Sequence, residues 1–141
     1  MDTGRPQTIS PDDAEAAHLV TAAVPDTIAL YRFGSTVTGA THAESDIDLA
    51  ILAAHPLDPV FRFDLQEELA VRLRRPVDLV DLRRASTVMR VQVIARGTVL
   101  AVFDRPAMER FEAYAYSAYA RLNEERAPVL ERVRRERTIY G

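Results

Sequence analysis

The sequence predicts an α+β domain: a four-stranded sheet carrying helices mainly on one face, followed by a long C-terminal helical segment. Three observations predict it. Apolar positions at helical spacing alternate along the chain with short runs rich in β-favouring residues. Proline and glycine mark most of the junctions, at Pro25, Gly34, Pro56, Pro76, Gly97 and Pro106. The 141 residues amount to one domain with a single core.

Taken in order, residues 1–9 carry no pattern and read as a flexible N-terminus. Ser10-Pro11-Asp12-Asp13 is a helix start, with a Ser N-cap, Pro at the first position and acids in the first turn. That helix runs to about Ala23, with Ala17, Leu19, Val20 and Val24 on or near its inner face, and Pro25-Asp26 ends it. Thr27 to Phe33 is the first strand, and Gly34-Ser35 closes it. Thr36 to Ala40 has room for one or two helical turns. Ile47 to Ala54 is the second strand, stopped by His55-Pro56. From Asp58 to Arg75, Phe61, Leu65, Leu69 and Leu73 recur every fourth residue, the helical period, and Pro76 stops the helix.

Val77 to Leu82 is the third strand. Ser86 caps a helix carrying Val88, Val91, Ile94 and Ala95, with Gly97 as its C-cap. Thr98 to Phe103 is the fourth strand, expected at a sheet edge. From Pro106, Phe111, Tyr114, Ala115, Ala118 and Leu122 mark one stripe of a long helix. Pro128 interrupts it, because proline lacks an N–H donor and crowds the preceding turn, and a last basic piece spans Val129 to about Arg137. The organisation is therefore a flexible 1–9, a core over 10–105, and a helical segment over 106–141 of the same domain.

Composition removes several function classes. The absence of cysteine excludes disulfides, thiolate zinc sites and cysteine nucleophiles. The net charge of −3 supplies no global basic field for nucleic acid. No apolar run reaches the roughly 20 residues of a membrane span, and Met1 to Pro6 shows no signal-peptide core, so a cytoplasmic location is the expectation. All 18 basic residues are Arg, a bias of GC-rich genomes that carries no chemistry.

The chemistry lies in one constellation. Gly34-Ser35 ends the first strand, where glycine lets backbone approach a phosphate and Ser35 offers a hydroxyl and an N–H. Ten residues later, Asp46-Ile47-Asp48 opens the second strand. Side chains at i and i+2 share a face of a strand, so the two carboxylates project together with Ile47 turned inward. Carboxylates held that close repel unless a cation lies between them, and the cation suited to an all-oxygen site beside phosphates is Mg²⁺. Asp78, flanked by apolar residues on the third strand, is costly to bury unless paired or metal-bound. Each part alone has an ordinary reading: a Gly-Ser turn, two solvated acids at a strand end, an edge Asp facing water. Asp81 is an alternative acid, although it faces the other side of the strand from Asp78 and sits beside Arg83 and Arg84. The conjunction, in this order, favours a nucleotide and metal site.

These residues, Phe33-Gly34-Ser35, Asp46-Ile47-Asp48 and Val77-Asp78-Leu79, resemble the minimal nucleotidyltransferase domain of the DNA polymerase β superfamily, which is built on a mixed four-stranded sheet. Gly39-Ala40, Ser45 to Leu49, the single short domain and the ending from Ala115 to Gly141 further resemble the MntA family, the adenylyltransferase antitoxins of HepT–MntA toxin–antitoxin pairs. The resemblance covers about residues 10 to 141. It implies that Gly34 and Ser35 hold the β- and γ-phosphates of ATP, that Asp46, Asp48 and Asp78 bind Mg²⁺, and that Asp78 also helps deprotonate the attacking hydroxyl. It implies a partner, a HEPN-fold ribonuclease toxin whose tyrosine receives AMP, which would block the toxin by charge and bulk.

Other residues have plainer readings. His42 is a solvated loop histidine, and Arg32 faces solvent or, as a minority reading, a phosphate. Phe111, Tyr114, Tyr116 and Tyr119 are core or partner contacts, and the basic stretch Arg126 to Arg137 is a solvated or partner-facing helix rather than an RNA site, given its interspersed acids and the acidic total. Two competing functions remain open at this stage: an antitoxin that acts by occlusion without catalysis, and a small-molecule nucleotidyltransferase.

Overall fold

The structure, a computed structural model, describes residues 10–34 and 46–140. Its elements are α1 (Pro11–Ala23), β1 (Thr27–Phe33), β2 (Ile47–Ala53), α2 (Pro59–Leu73), β3 (Val77–Asp81), α3 (Thr87–Arg96), β4 (Thr98–Val102) and α4 (Arg105–Tyr140). The expectations for residues 1–9, for a short helix over 36–40 and for Ser35, Gly39 and His42 fall outside the described residues.

Side-chain caps set most helix starts. The Ser10 hydroxyl accepts from the Asp13 N–H at 3.1 Å, and the Ser86 hydroxyl from the Met89 N–H at 3.1 Å. One carboxylate oxygen of Asp58 accepts from both the Val60 and Phe61 N–H groups. Asp104 caps the start of α4 through the Ala107 N–H. Gly97 caps α3, its N–H returning to the Val93 carbonyl at 2.7 Å.

The sheet order is β3-β2-β1-β4. β1 runs antiparallel to both β2 and β4, while β2 and β3 run parallel, so the sheet is mixed and β4 is an edge. The α+β sheet with its long C-terminal helix is as the sequence predicts, but the distribution of helices is not: they do not lie mainly on one face. Leu30, Ile47, Leu49, Ile51, Val77 and Leu79 point to a core shared with Ala16 and Val20 of α1 and Leu65, Leu69 and Leu73 of α2. Ala29, Tyr31, Ala50 and Leu52 point the other way, to Val93 of α3 and Met108 and Phe111 of α4. The physical reason is that β1 and β2 are buried on both sides, and two apolar faces need two helical layers.

Three further details differ from the sequence reading. Pro128 lies inside α4 without ending it. This part of the helix is exposed, so the carbonyl deprived of its donor is left to water. In α3 the buried residue is Val93, and Ala95 faces out. In α2, Phe61 stays exposed while Leu65, Leu69 and Leu73 form the inner stripe.

Asp81, the alternative acid, is structural. The residue is 4 % exposed, and its carboxylate accepts from the Leu57 N–H at 2.7 Å and the Arg83 N–H at 2.9 Å. It ties the loop entering α2 to the turn leaving β3. Replacing Asp81 by Ala strands two N–H groups, and thermal or chemical denaturation is expected to show a loss of about 3 kcal/mol.

Candidate active site

The sheet register assembles the predicted acids. Phe33, the last residue of β1, pairs with Asp48 of β2, and Asp48 pairs in turn with Asp78 of β3. Register partners point to the same face, so the Asp48 and Asp78 carboxylates stand side by side, with Asp46 two residues before Asp48. By alternation this is the face of Ala50 and Leu52, the one on which α3 and α4 pack. Asp46 and Asp78 are exposed and Asp48 is half-buried.

Gly34 completes the arrangement. It has φ +88°, a left-handed conformation that glycine adopts freely and other residues resist. A Cβ at this position would run into the Asp48 carboxylate, reaching within 3.0 Å of its Cγ. The turn after β1 and the central acid are therefore in direct contact, and only a residue without a side chain permits it. Ser35 follows outside the described residues.

The electrostatics match this crowding. Burial raises the Asp48 carboxyl above the ordinary carboxylate range, and the neighbouring Asp78 and Asp46 charges raise it further, while Arg32 pulls it down. Among the described residues no three His, Cys, Asp or Glu side chains are already drawn together as a metal cage. The donor set is nonetheless all oxygen, and its mutual repulsion is what a divalent cation relieves.

The raised carboxyl has a consequence for stability. A folded-state value above the unfolded one means that the fold binds the extra proton, so stability falls as pH rises through the carboxylate range. Asp48→Asn removes that cost. In metal-free buffer near pH 7 the variant is expected to melt at a higher temperature than the parent. The gain should fade on acidification, and scanning calorimetry against pH checks it.

Two partnerships were not legible in the sequence. Arg32 is not a solvent-facing group: its Nη1 donates to Asp13 of α1 at 2.7 Å, fastening α1 to the end of β1. The Tyr31 hydroxyl donates to Glu112 of α4 at 2.8 Å, and burial pushes its ionisation far above the usual phenol range. That bond fixes α4 against the strand leading to Gly34. Both pairs join residues far apart in the chain, so no local signal announces them. The sequence offered only an acid in the first turn of a helix and a tyrosine in a strand.

Comparison with known proteins agrees with the geometry. The family profile described as Polymerase beta, Nucleotidyltransferase matches residues 20–105. The chain is 41% identical over 110 residues to the protein adenylyltransferase MntA of Shewanella oneidensis, covering 78% of each chain. Among solved structures it resembles a chain of a toxin–antitoxin crystal structure with AMP-PNP, at 38% identity and a TM-score of 0.78, over 86% of this chain and 97% of that one. A second similar structure holds a tri-AMPylated Shewanella oneidensis HEPN toxin in complex with MNT antitoxin, at 35% identity and a TM-score of 0.74, over 86% of this chain and 95% of that one. With its acids, its glycine turn and its sheet order in place, the chain belongs to the polymerase β nucleotidyltransferase family and, within it, to the MntA-type protein adenylyltransferases.

Proposed function

We propose that this protein is an antitoxin that transfers AMP from ATP to a tyrosine of a cognate HEPN ribonuclease toxin. The carrying observation is the contact of Gly34 with Asp48 together with the Asp48–Asp78 register, which places a phosphate-approach turn against two aligned carboxylates. In this reading Gly34 and Ser35 hold the β- and γ-phosphates through backbone N–H groups and the Ser35 hydroxyl. Asp46, Asp48 and Asp78 would hold Mg²⁺, which when bound offsets charge on the phosphate oxygens. Asp78 takes up the proton as the acceptor phenol, with an ordinary pKa near 10, becomes the nucleophile. The new bond joins the tyrosine oxygen to the α-phosphorus, and the bond from the α-phosphorus to its bridging oxygen breaks to release pyrophosphate.

The C-terminal segment 106–141 supplies the contact with the partner. Met108, Phe111 and Ala115 are buried on the domain, whereas Val129, Leu130 and Val133 are exposed at 52%, 58% and 42%. This observation also favours a second reading, in which α4 silences the toxin by occlusion alone. No helix among the described residues is long and apolar enough to cross a membrane, and we place the reaction in the cytoplasm with its partner.

Neutralisation separates the two readings. With Asp46 and Asp48 both changed to Asn, adenylate transfer predicts that toxin-dependent RNA cleavage and growth arrest return. Full protection by that variant would establish occlusion in its place. A small-molecule acceptor would instead show itself as transfer from ATP to a low-molecular-weight alcohol with no toxin present.

A further inference from the structure

Away from the acids, α4 and the turn after β3 enclose an open cavity of about 250 Å³, lined by Arg83, Ala107, Arg110, Phe111 and Tyr114. Two guanidinium groups and a phenol converge on it, and no carboxylate lines it. Arg83 is held ready: its Nε–H donates to the Ala53 carbonyl at 2.8 Å, and its guanidinium lies 5.3 Å from the centre of the Phe111 ring. Arg90 covers the same ring at 5.0 Å, with its own donors committed to the Leu82 and Arg83 carbonyls. Among the described residues, the Arg83 Nη atoms, the Arg110 guanidinium and the Tyr114 hydroxyl have no hydrogen-bond partner.

Unspent donors on two arginines and a tyrosine, with Arg83 held over the Phe111 ring, suit an oxyanion with more than two acceptor oxygens better than a single carboxylate. The cavity is larger than a bare phosphate needs, and the exposed Tyr114 ring gives one wall on which a planar base can stack. The site is separate from the acids. Arg83 binds the last residue of β2, five residues along the strand from Asp48, a separation of roughly 16 Å at 3.3 Å per residue.

We propose that this cavity is a second binding site, and that its ligand is an adenylate group, held by Arg83 and Arg110 at the phosphate and by Tyr114 at the base. The choice of adenylate among phosphates rests on the adenylyltransferase reading, because that reaction consumes ATP and yields AMP joined to protein. The existence of an anion site does not rest on it. Two sources share the chemistry: free AMP, and AMP already attached to a tyrosine.

The test is NMR titration of the metal-free full chain with AMP, with a peptide carrying O-adenylyl tyrosine, and with inorganic phosphate. Four proteins are compared: the parent, the Asp46→Asn/Asp48→Asn variant, Arg110→Ala and Tyr114→Ala. Arg83 is left intact because it also holds the Ala53 carbonyl, whereas Arg110 and Tyr114 are exposed and their loss leaves the fold alone. Shifts centred on Phe111 and Tyr114, equal in the parent and the Asp46/Asp48 variant and weakened about tenfold or more in Arg110→Ala and Tyr114→Ala, are expected. Tighter binding of the peptide names attached AMP as the source, and tighter binding of free AMP names the nucleotide pool; either ranking supports the site.

Three results would overturn it. These are undiminished binding in both cavity variants, loss of binding in the Asp46/Asp48 variant, or inorganic phosphate binding as tightly as AMP. Transfer to the toxin is read in a separate reaction on the parent protein, so failure of the catalytic reading and failure of this one are told apart.

Discussion

Changing Asp46 and Asp48 together to Asn is expected to reduce AMP transfer by about a thousandfold or more, with the fold intact. The size follows from what these side chains face. Nucleotidyl transfer builds negative charge on oxygens at both the entering and the leaving position, and in the proposed reading Asp46, Asp48 and Asp78 hold a neutralising cation there. Asn keeps the shape and a carbonyl oxygen but removes the charge, so two of the three anionic ligands vanish at once. Stability moves in the opposite direction. Burial penalises the Asp48 charge most, and the neighbouring Asp78 and Asp46 charges add to that penalty. The double variant should therefore unfold later than the parent in metal-free buffer, while Mg²⁺ should raise the melting temperature of the parent and leave that of the variant unchanged. Losing activity while gaining stability is the signature of a functional acid cluster and not of a structural one. Asp81 gives the contrast, since its replacement costs stability and touches no reacting group.

The second large effect is at Gly34. Ala at this position meets two penalties at once: a backbone at φ +88° that L-residues resist, and a methyl driven into the Asp48 carboxylate. The strain is expected to cost about 1–2 kcal/mol of stability. The catalytic loss should be larger, about a hundredfold or more, because Asp48 must turn away from its place beside Asp78 for the methyl to fit. Transfer rates compared at equal fractions of folded protein, with folding followed by circular dichroism, separate the two effects. A variant that folds less well but transfers normally per folded molecule would show that the Gly34–Asp48 contact has no part in the reaction.

Much of this was legible in the sequence because it was locally encoded. The caps at Ser10 and Ser86, the glycine ending α3 and the breaks at Pro25, Pro56 and Pro76 each act within a turn or two of chain, and they set the element boundaries to within two residues. The three acids were legible because strand alternation is a strict rule: once Ile47 and Leu49 face a core, Asp46 and Asp48 must face away from it. What the sequence did not carry was non-local. A strand buried on both faces looks, residue by residue, like one merely rich in apolar side chains, so the second helical layer over Ala29, Tyr31 and Leu52 went unread. The Arg32–Asp13 and Tyr31–Glu112 pairs depend on which helix lands on which face. Pro128 lies where the helix is solvated on every side, so the missing bond costs less than it would in a packed helix.

Intact-mass spectrometry of the cognate HEPN toxin, after incubation with this protein, ATP and Mg²⁺, tests the central claim most directly. The toxin is expected to gain mass in whole adenylate increments on a tyrosine, with pyrophosphate in equal amount, and neither is expected with the Asp46→Asn/Asp48→Asn protein or in EDTA. A toxin of unchanged mass that is nonetheless inhibited by the folded parent protein would contradict it.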